Sequence, residues 1–293
     1  MRFQRRRAAW LGVVLTGATL AALPLAAIRP ASNRSARPVA PASGTEAPRP
    51  GLTLLSPQQA VARHHEFYFT RAVYSSGGGG FGFRGRGGGD WATDYPKADR
   101  QFMVVLNRLV GIDASPDENA VRLDDPNLRR FPFLYALEVG AMNLSDAEIE
   151  GLRSYLAAGG FLVIDDFWGP REYANFESEM RRVLPGRPIY EIPSTHGVFN
   201  NVYDVANVVQ VPNIRNGQMH EVYGTPTWEC DIGCQIPRVY GIDDDRGELM
   251  VMVNWNTDIG DAWEWAEDPY YPLKFSTYAF EIGVNMVVYA MSH

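Results

Sequence analysis

Two adjacent carboxylates, Asp165 and Asp166, are the residues of this sequence that are best placed to do chemistry. They follow residues 161–164 (FLVI), a short apolar run of the kind found in strands buried on both faces. Ligand sites in open α/β sheets lie just beyond the carboxyl ends of the strands. Such a pair can share a proton or hold a divalent cation. The structural alternative is that one carboxylate caps the following helix and the other is solvated.

His196 has the best setting of the five histidines, because it lies in a loop between Pro193 and Gly197. Together with Asp165 and Asp166 it makes up our set of candidate catalytic and metal-binding residues. A lone loop histidine is more often a surface or structural residue, and this alternative stays open.

Residues 254–265 (NWNTDIGDAWEW) are the densest cluster of acids, amides and indoles. Oxygen ligands here could bind a hard cation, and the tryptophan faces could stack on a sugar ring. The alternative is a polar loop held by buried tryptophans. No cofactor is predicted, although these residues are compatible with a divalent cation. We expect a ligand site to be lined by Asp90, Trp91, Trp168, Asn256, Asp258, Asp261, Trp263 and Glu264.

Residues 75–91 form a glycine-rich loop that carries Arg84 and Arg86. No P-loop Lys-Ser/Thr follows it, so a nucleotide site is not expected. A flap over the strand ends and a disordered insertion are the two interpretations.

Cys230 and Cys234 are the only cysteines. Outside the cytoplasm they are expected to form a small-loop disulfide, whereas a zinc site would need ligands that the sequence does not supply.

The N-terminus predicts export. Arginines precede an apolar run, so residues 1–28 are a signal peptide or an N-terminal membrane anchor, residues 29–55 a Pro/Ala-rich linker, and residues 56–293 a single domain. The domain is then periplasmic or anchored to the inner membrane, outside the cytoplasm, with contact to the membrane through the N-terminus if it is uncleaved.

Eight of the 27 basic residues but only one of the 34 acids lie in residues 1–50, which leaves 19 basic against 33 acidic groups in the rest of the chain. This acidic balance argues against nucleic acid as a partner.

The alternation of strand-like and helix-like segments predicts an α/β fold with a largely parallel sheet and helices on both faces, followed by β-rich additions in the C-terminal third. Ser145 and Glu148 have the spacing of a capping box at a helix start. We also predict strands over 65–74 and 208–211, helices over 172–184 and 278–291, and a hairpin turn over 243–247.

The helix, the Gly159-Gly160 pair and the strand within residues 144–169 resemble a unit of the class I glutamine amidotransferase-like fold. This resemblance implies a flavodoxin-like three-layer α/β/α sandwich. Four motifs, at 88–91 (GGDW), 131–135 (FPFLY), 144–148 (LSDAE) and 161–166 (FLVIDD), resemble the bacterial family known as domain of unknown function 4159, over roughly residues 65–293. That resemblance implies a fold and an exported or membrane-associated context, and no activity.

Enzymes of the amidotransferase group carry a cysteine nucleophile on a Gly-flanked turn after a strand. The corresponding turn here begins with Asp165 and Asp166, and neither cysteine lies in such a turn, so glutamine hydrolysis is not expected. We favour a non-catalytic ligand-binding or assembly protein of the bacterial cell envelope, whose partner is an unknown small molecule or envelope component. The competing hypothesis is a metal-assisted hydrolase of an envelope glycan or peptide.

Overall fold

The structure is a computed structural model that describes residues 65–77, 90–205 and 207–293. These residues belong to one compact unit, Pro50–His293. The predicted leader and linker, the start of the domain, and residues 78–89 of the glycine-rich loop lie outside the described residues. Within the described part of the chain, every helix is too short or too polar to span a bilayer.

Seven strands in the described residues form one mostly parallel sheet. They are β1 (Thr70–Val73), β2 (Asn119–Arg122), β3 (Phe133–Leu137), β4 (Phe161–Asp165), β5 (Tyr190–Glu191), β6 (Arg238–Asp243) and β7 (Leu249–Trp255). Their order across the sheet is β2-β1-β3-β4-β7-β6-β5. The first five strands in this order are mutually parallel, and β6 pairs antiparallel with both β7 and β5.

Six α-helices accompany the sheet in the described residues. They are α1 (Lys97–Leu109), α2 (Asp146–Ala157), α3 (Gly169–Val183), α4 (Ile214–Tyr223), α5 (Ile259–Glu264) and α6 (Leu273–Ser292). The predicted capping box is present at the start of α2, where Ser145 Oγ accepts from the Glu148 N–H.

The sheet is buried on both faces because alternate side chains of its central strands enter two separate hydrophobic clusters. Phe133, Tyr135 and Leu137 of β3 pack in one cluster with residues of α1, α5 and α6. Leu134 and Ala136 pack in the other with residues of α2 and α3. This arrangement explains the continuous apolar runs of β3 and β4. It confirms the predicted mixed α/β class with a mostly parallel sheet.

Three predicted segments differ in the structure. The first strand begins at Thr70 and not at residue 65, because Phe67 pairs with the loop at Asp113 and Ser115 instead of a neighbouring strand. Residues 208–211 are not a strand; the Val211 N–H donates to Thr257 Oγ1. The C-terminal third is also more helical than predicted, since it contains α4, α5 and the whole of α6.

Candidate functional site

The carboxyl ends of β1, β3, β4 and β7 lie at one edge of the sheet, because these strands are parallel. Among the described residues, four other than glycine have a positive φ, and all four lie in the turns at this edge: Asp94 (60°), Glu138 (53°), Asp166 (52°) and Asn256 (59°). Left-handed backbone is uncommon for residues other than glycine and persists where the surroundings enforce it, often at functional sites.

Backbone hydrogen bonds hold three of these turns together. The Glu138 N–H donates to the Asp166 carbonyl (3.1 Å), the Asp166 N–H to the Thr257 carbonyl (3.2 Å), and the Asn256 N–H to the Phe167 carbonyl (3.1 Å). The turns after β3, β4 and β7 therefore form one hydrogen-bonded platform.

Three carboxylates converge on this platform. Asp94, Asp166 and Asp258 each place an oxygen within 4.8 Å of the other two. Asp166 Oδ1 accepts from Trp168 Nε1 (3.0 Å), and Asp258 Oδ1 accepts from the Asp261 N–H (2.8 Å) as the N-cap of α5. Hydrogen bonds thus fix the side chains of Asp166 and Asp258. The three carboxylates come from turns that are distant in sequence and close in the fold.

Arg71 positions the third carboxylate. Its buried guanidinium forms an ion pair with Asp99 (2.6 Å) and donates to the carbonyl of Thr93 (2.9 Å), the residue before Asp94. Asp94 Oδ2 is buried, and no described residue donates a hydrogen bond to it. It lies 2.7 Å from the point that a Cβ on Gly260 would occupy, so the glycine keeps this space open.

Burial and mutual repulsion raise the pKa of all three carboxylates. Burial raises the pKa of Asp94, and Asp261 adds to the shift while Arg71 opposes it. The pKa of Asp166 and that of Asp258 are raised by burial and then by neighbouring acids. Charged carboxylates are costly here unless a cation or protons neutralise them.

Asp165 lies beside the cluster and caps a helix, although not the one that follows it. Its Oδ2 accepts from Tyr135 Oη (2.6 Å) and from the N–H groups of Ile259 (2.8 Å) and Gly260 (3.2 Å) at the start of α5. Its Oδ1 is buried and has no hydrogen-bond donor among the described residues. Burial raises the pKa of Asp165 to about 7.

His196 does not lie with the carboxylates. Its ring packs near Tyr289 (5.6 Å between ring centres), which in turn packs near Phe161 at the start of β4. Asp165 ends that strand, four residues or about 13 Å away. The structure therefore separates His196 from Asp165 and Asp166, which sequence reasoning grouped as one site. Burial also lowers the pKa of His196.

The predicted ligand-binding residues occupy different places. Asp258 belongs to the cluster, Trp168 contacts it, and Asp261 and Glu264 lie next to it together with Asp94. Trp263 is a core residue whose Nε1 donates to the Ala279 carbonyl (2.9 Å).

Two further predicted residues come before α1. Trp91 is buried, and its carbonyl accepts from Arg71. Asp90 begins a short 3-10 helix, but its side chain lies outside the described residues.

A disulfide joins Cys230 and Cys234, and the turn that it closes packs against the platform. Asn256 connects the two: its Oδ1 accepts from the Gly169 N–H (2.8 Å), and its Nδ2 donates to the Gly233 carbonyl (2.9 Å). Asn256 thus serves as a fixed link between the disulfide turn and the platform.

Sequence reasoning missed Arg71 and Asp94 as site residues. An arginine within the apolar run 69–73 is itself a signal, because a charged residue in a buried strand needs a partner. Asp94 carried no such signal, since it reads as the residue before a helix.

The family model described as Domain of unknown function (DUF4159) matches residues 81–291, most of the chain. The chain belongs to this family. The matched range includes Asp94, Asp166 and Asp258, so the whole carboxylate cluster lies within the DUF4159 domain, whereas Arg71 precedes it. No curated protein matches the chain.

Proposed function

We propose that this DUF4159 protein binds a hard divalent cation through Asp94, Asp166 and Asp258 and acts in the cell envelope as a cation-dependent ligand-binding or assembly protein. The observation that carries the proposal is the convergence of three carboxylate oxygens within 4.8 Å of one another. The buried Asp94 Oδ2, which no described residue satisfies, supports it independently.

The donor set favours particular ions. Three carboxylates with no sulfur or imidazole suit Mg²⁺, Ca²⁺ or Mn²⁺. Neighbouring ligand oxygens around such ions lie about 3–3.5 Å apart and opposite ones about 4–5 Å apart. Three oxygens within 4.8 Å of one another can therefore bind one ion of this class.

The cellular context is part of the same proposal. An arginine-led apolar N-terminus and a disulfide between Cys230 and Cys234 support export from the cytoplasm. Cysteines joined in a disulfide offer no thiol, which supports a role other than glutamine hydrolysis.

We also propose that the domain is a three-layer α/β/α sandwich of the amidotransferase-like type. The order of its five parallel strands, β2-β1-β3-β4-β7, supports this, because it follows the flavodoxin-like pattern.

Cation titration of the purified chain after treatment with EDTA tests the proposal. We expect saturable calorimetric binding of Mg²⁺, Ca²⁺ or Mn²⁺ by the wild type and at least a tenfold loss of affinity in Asp258→Asn, which keeps a side-chain oxygen to cap α5. Asp245→Asn is the matched control, because Asp245 is 93% exposed in the hairpin turn after β6. Equal affinity in all three proteins, or no binding, contradicts the proposal.

A metal-assisted hydrolase of an envelope glycan or peptide is the second candidate. Asp165 favours it: a carboxyl with a pKa of about 7 and a buried unpartnered Oδ1 adjoins the proposed cation, and general acid/base catalysis needs a group that titrates near neutral pH. Release of fragments from cell-wall glycan or peptide in the presence of Mn²⁺, lost in Asp165→Asn, is the expected result. A wild type that binds the cation and releases nothing excludes the hydrolase and leaves the binding function intact.

A further inference from the structure

Asp94 belongs to two groups of carboxylates. It converges with Asp166 and Asp258 on one side, and with Asp261 and Glu264 on the other. In the second group, too, each side chain places an oxygen within 4.8 Å of the other two. A carboxylate has two oxygens and can accept on both, so Asp94 can serve both groups at once.

The second group is built into α5. Asp261 and Glu264 are three residues apart, so they project from the same side of the helix. Asp261 Oδ2 accepts from the Ile214 N–H at the start of α4 (2.6 Å), which fixes its carboxylate. Lys97 lies at the edge of this group, with its Nζ 4.0 Å from Glu264 Oε1 and 3.7 Å from the centre of the Trp265 ring.

Gly260 supports the shared position of Asp94. A Cβ at Gly260 would lie 2.7 Å from Asp94 Oδ2 and 3.7 Å from Asp258 Oδ1, so the glycine lets α5 lie close to the first group. Asp94 Oδ2 is buried beside this glycine and has no donor among the described residues. A buried carboxylate oxygen without a hydrogen-bond donor needs a neutralising partner, which a bound cation supplies.

We propose that the site binds two hard divalent cations bridged by Asp94, the second one held by Asp94, Asp261 and Glu264. This inference rests on the proposed function, because the first cation is the one bound by Asp94, Asp166 and Asp258. Bridged pairs of cations in proteins are about 3.5–4 Å apart, a span that a single carboxylate can cover.

The balance of charge favours two cations over one. The five carboxylates of the two groups carry five negative charges when ionised. One divalent cation together with Lys97 leaves two of them uncompensated in a largely buried site. Two divalent cations together with Lys97 neutralise all five, while Arg71 is already paired with Asp99.

Binding of Mn²⁺ to the full-length, EDTA-treated chain tests the inference through two measurements. Equilibrium dialysis should give two Mn²⁺ per chain, and electron paramagnetic resonance should show the broadened spectrum of an exchange-coupled pair. Glu264→Gln should bind one Mn²⁺ with the resolved spectrum of an isolated ion. Glu267→Gln is the control, because Glu267 is exposed just beyond α5 and should behave as the wild type.

A second variant, Lys97→Met, leaves all five carboxylates in place. It should strengthen binding of the second Mn²⁺, because it removes the ammonium group that lies beside Glu264. One uncoupled Mn²⁺ in the wild type, or two in Glu264→Gln, overturns the bridged pair and leaves the proposed function standing. No bound Mn²⁺ in the wild type overturns both.

Discussion

Replacing Asp166 by Asn should stabilise the cation-free protein while it removes cation binding. The variant keeps an oxygen that can accept from Trp168 Nε1, and Asn adopts the left-handed backbone (φ 52°) at least as readily as Asp. What it removes is a negative charge within 4.8 Å of the carboxylates of Asp94 and Asp258. If Asp166 served only the fold, its replacement would not raise the stability of the protein.

The size of the gain follows from the geometry. Two unit charges at the upper limit of 4.8 Å repel by about 3.5 kcal/mol at an effective dielectric constant of about 20. The raised pKa of each carboxylate means that protonation already relieves part of this repulsion at neutral pH. We therefore expect a gain of about 1–2 kcal/mol, or about 2–8 °C in Tm for a domain of this size.

Thermal melts at pH 8, in EDTA and in excess Mg²⁺ or Ca²⁺, measure both effects. The wild type should gain about 2.7 kcal/mol when the cation is at 100 times its Kd. Asp166→Asn should have the higher Tm in EDTA and gain little from the cation, whereas Asp245→Asn should match the wild type in both conditions. An Asp166→Asn protein that melts several degrees lower in EDTA, or that still responds fully to the cation, would refute this reasoning.

Three further predictions concern the same edge of the sheet. Gly260→Ala places a methyl group 2.7 Å from Asp94 Oδ2, so Mn²⁺ affinity by equilibrium dialysis should fall at least tenfold with every carboxylate intact. Without cation, the free energy of unfolding measured by chemical denaturation should fall as the pH rises from 4 to 7. Asp165 contributes up to about 4 kcal/mol of this loss, because its pKa is near 3.8 in the unfolded state and about 7 in the folded state, so the folded state keeps the proton to higher pH. Reducing the disulfide, or replacing Cys230 and Cys234 by Ser, should cost about 2 kcal/mol of unfolding free energy and weaken Mn²⁺ binding.

Each of these predictions has its own control or contrary result. Gly111→Ala should leave Mn²⁺ binding unchanged, because nothing lies within 4 Å of the added methyl group. Asp165→Asn should make the pH dependence less steep, and an equally steep loss in that variant contradicts the contribution of Asp165. Full Mn²⁺ affinity in the reduced protein would show that the disulfide turn does not support the platform.

Local signals in the sequence were enough for the central elements. The apolar run before Asp165 correctly predicted β4, and the spacing of Ser145 and Glu148 correctly predicted the start of α2. Both features depend mainly on residues that are near one another in the chain. Helix α4 was not predicted, since it is weakly amphipathic and contains Gly217. Residues 208–211 have strand composition but pair with no strand of the sheet.

The site was predicted in part, for a physical reason. The strand-end position of Asp166 and the acidic loop with Asp258 are visible in the sequence, and the parallel sheet brings them together. Asp94 follows Thr93, whose carbonyl accepts from the buried Arg71 that pairs with Asp99, and this arrangement depends on tertiary packing. His196 shows the converse, because its loop composition gives no information about which edge of the sheet it joins.

The most direct test of the central claim is anomalous diffraction from a crystal of the protein grown with Mn²⁺. The account predicts a strong anomalous peak between Asp94, Asp166 and Asp258, about 2.0–2.6 Å from an oxygen of each. Ordered carboxylates with no peak between them, or Mn²⁺ bound only at surface acids, would contradict it.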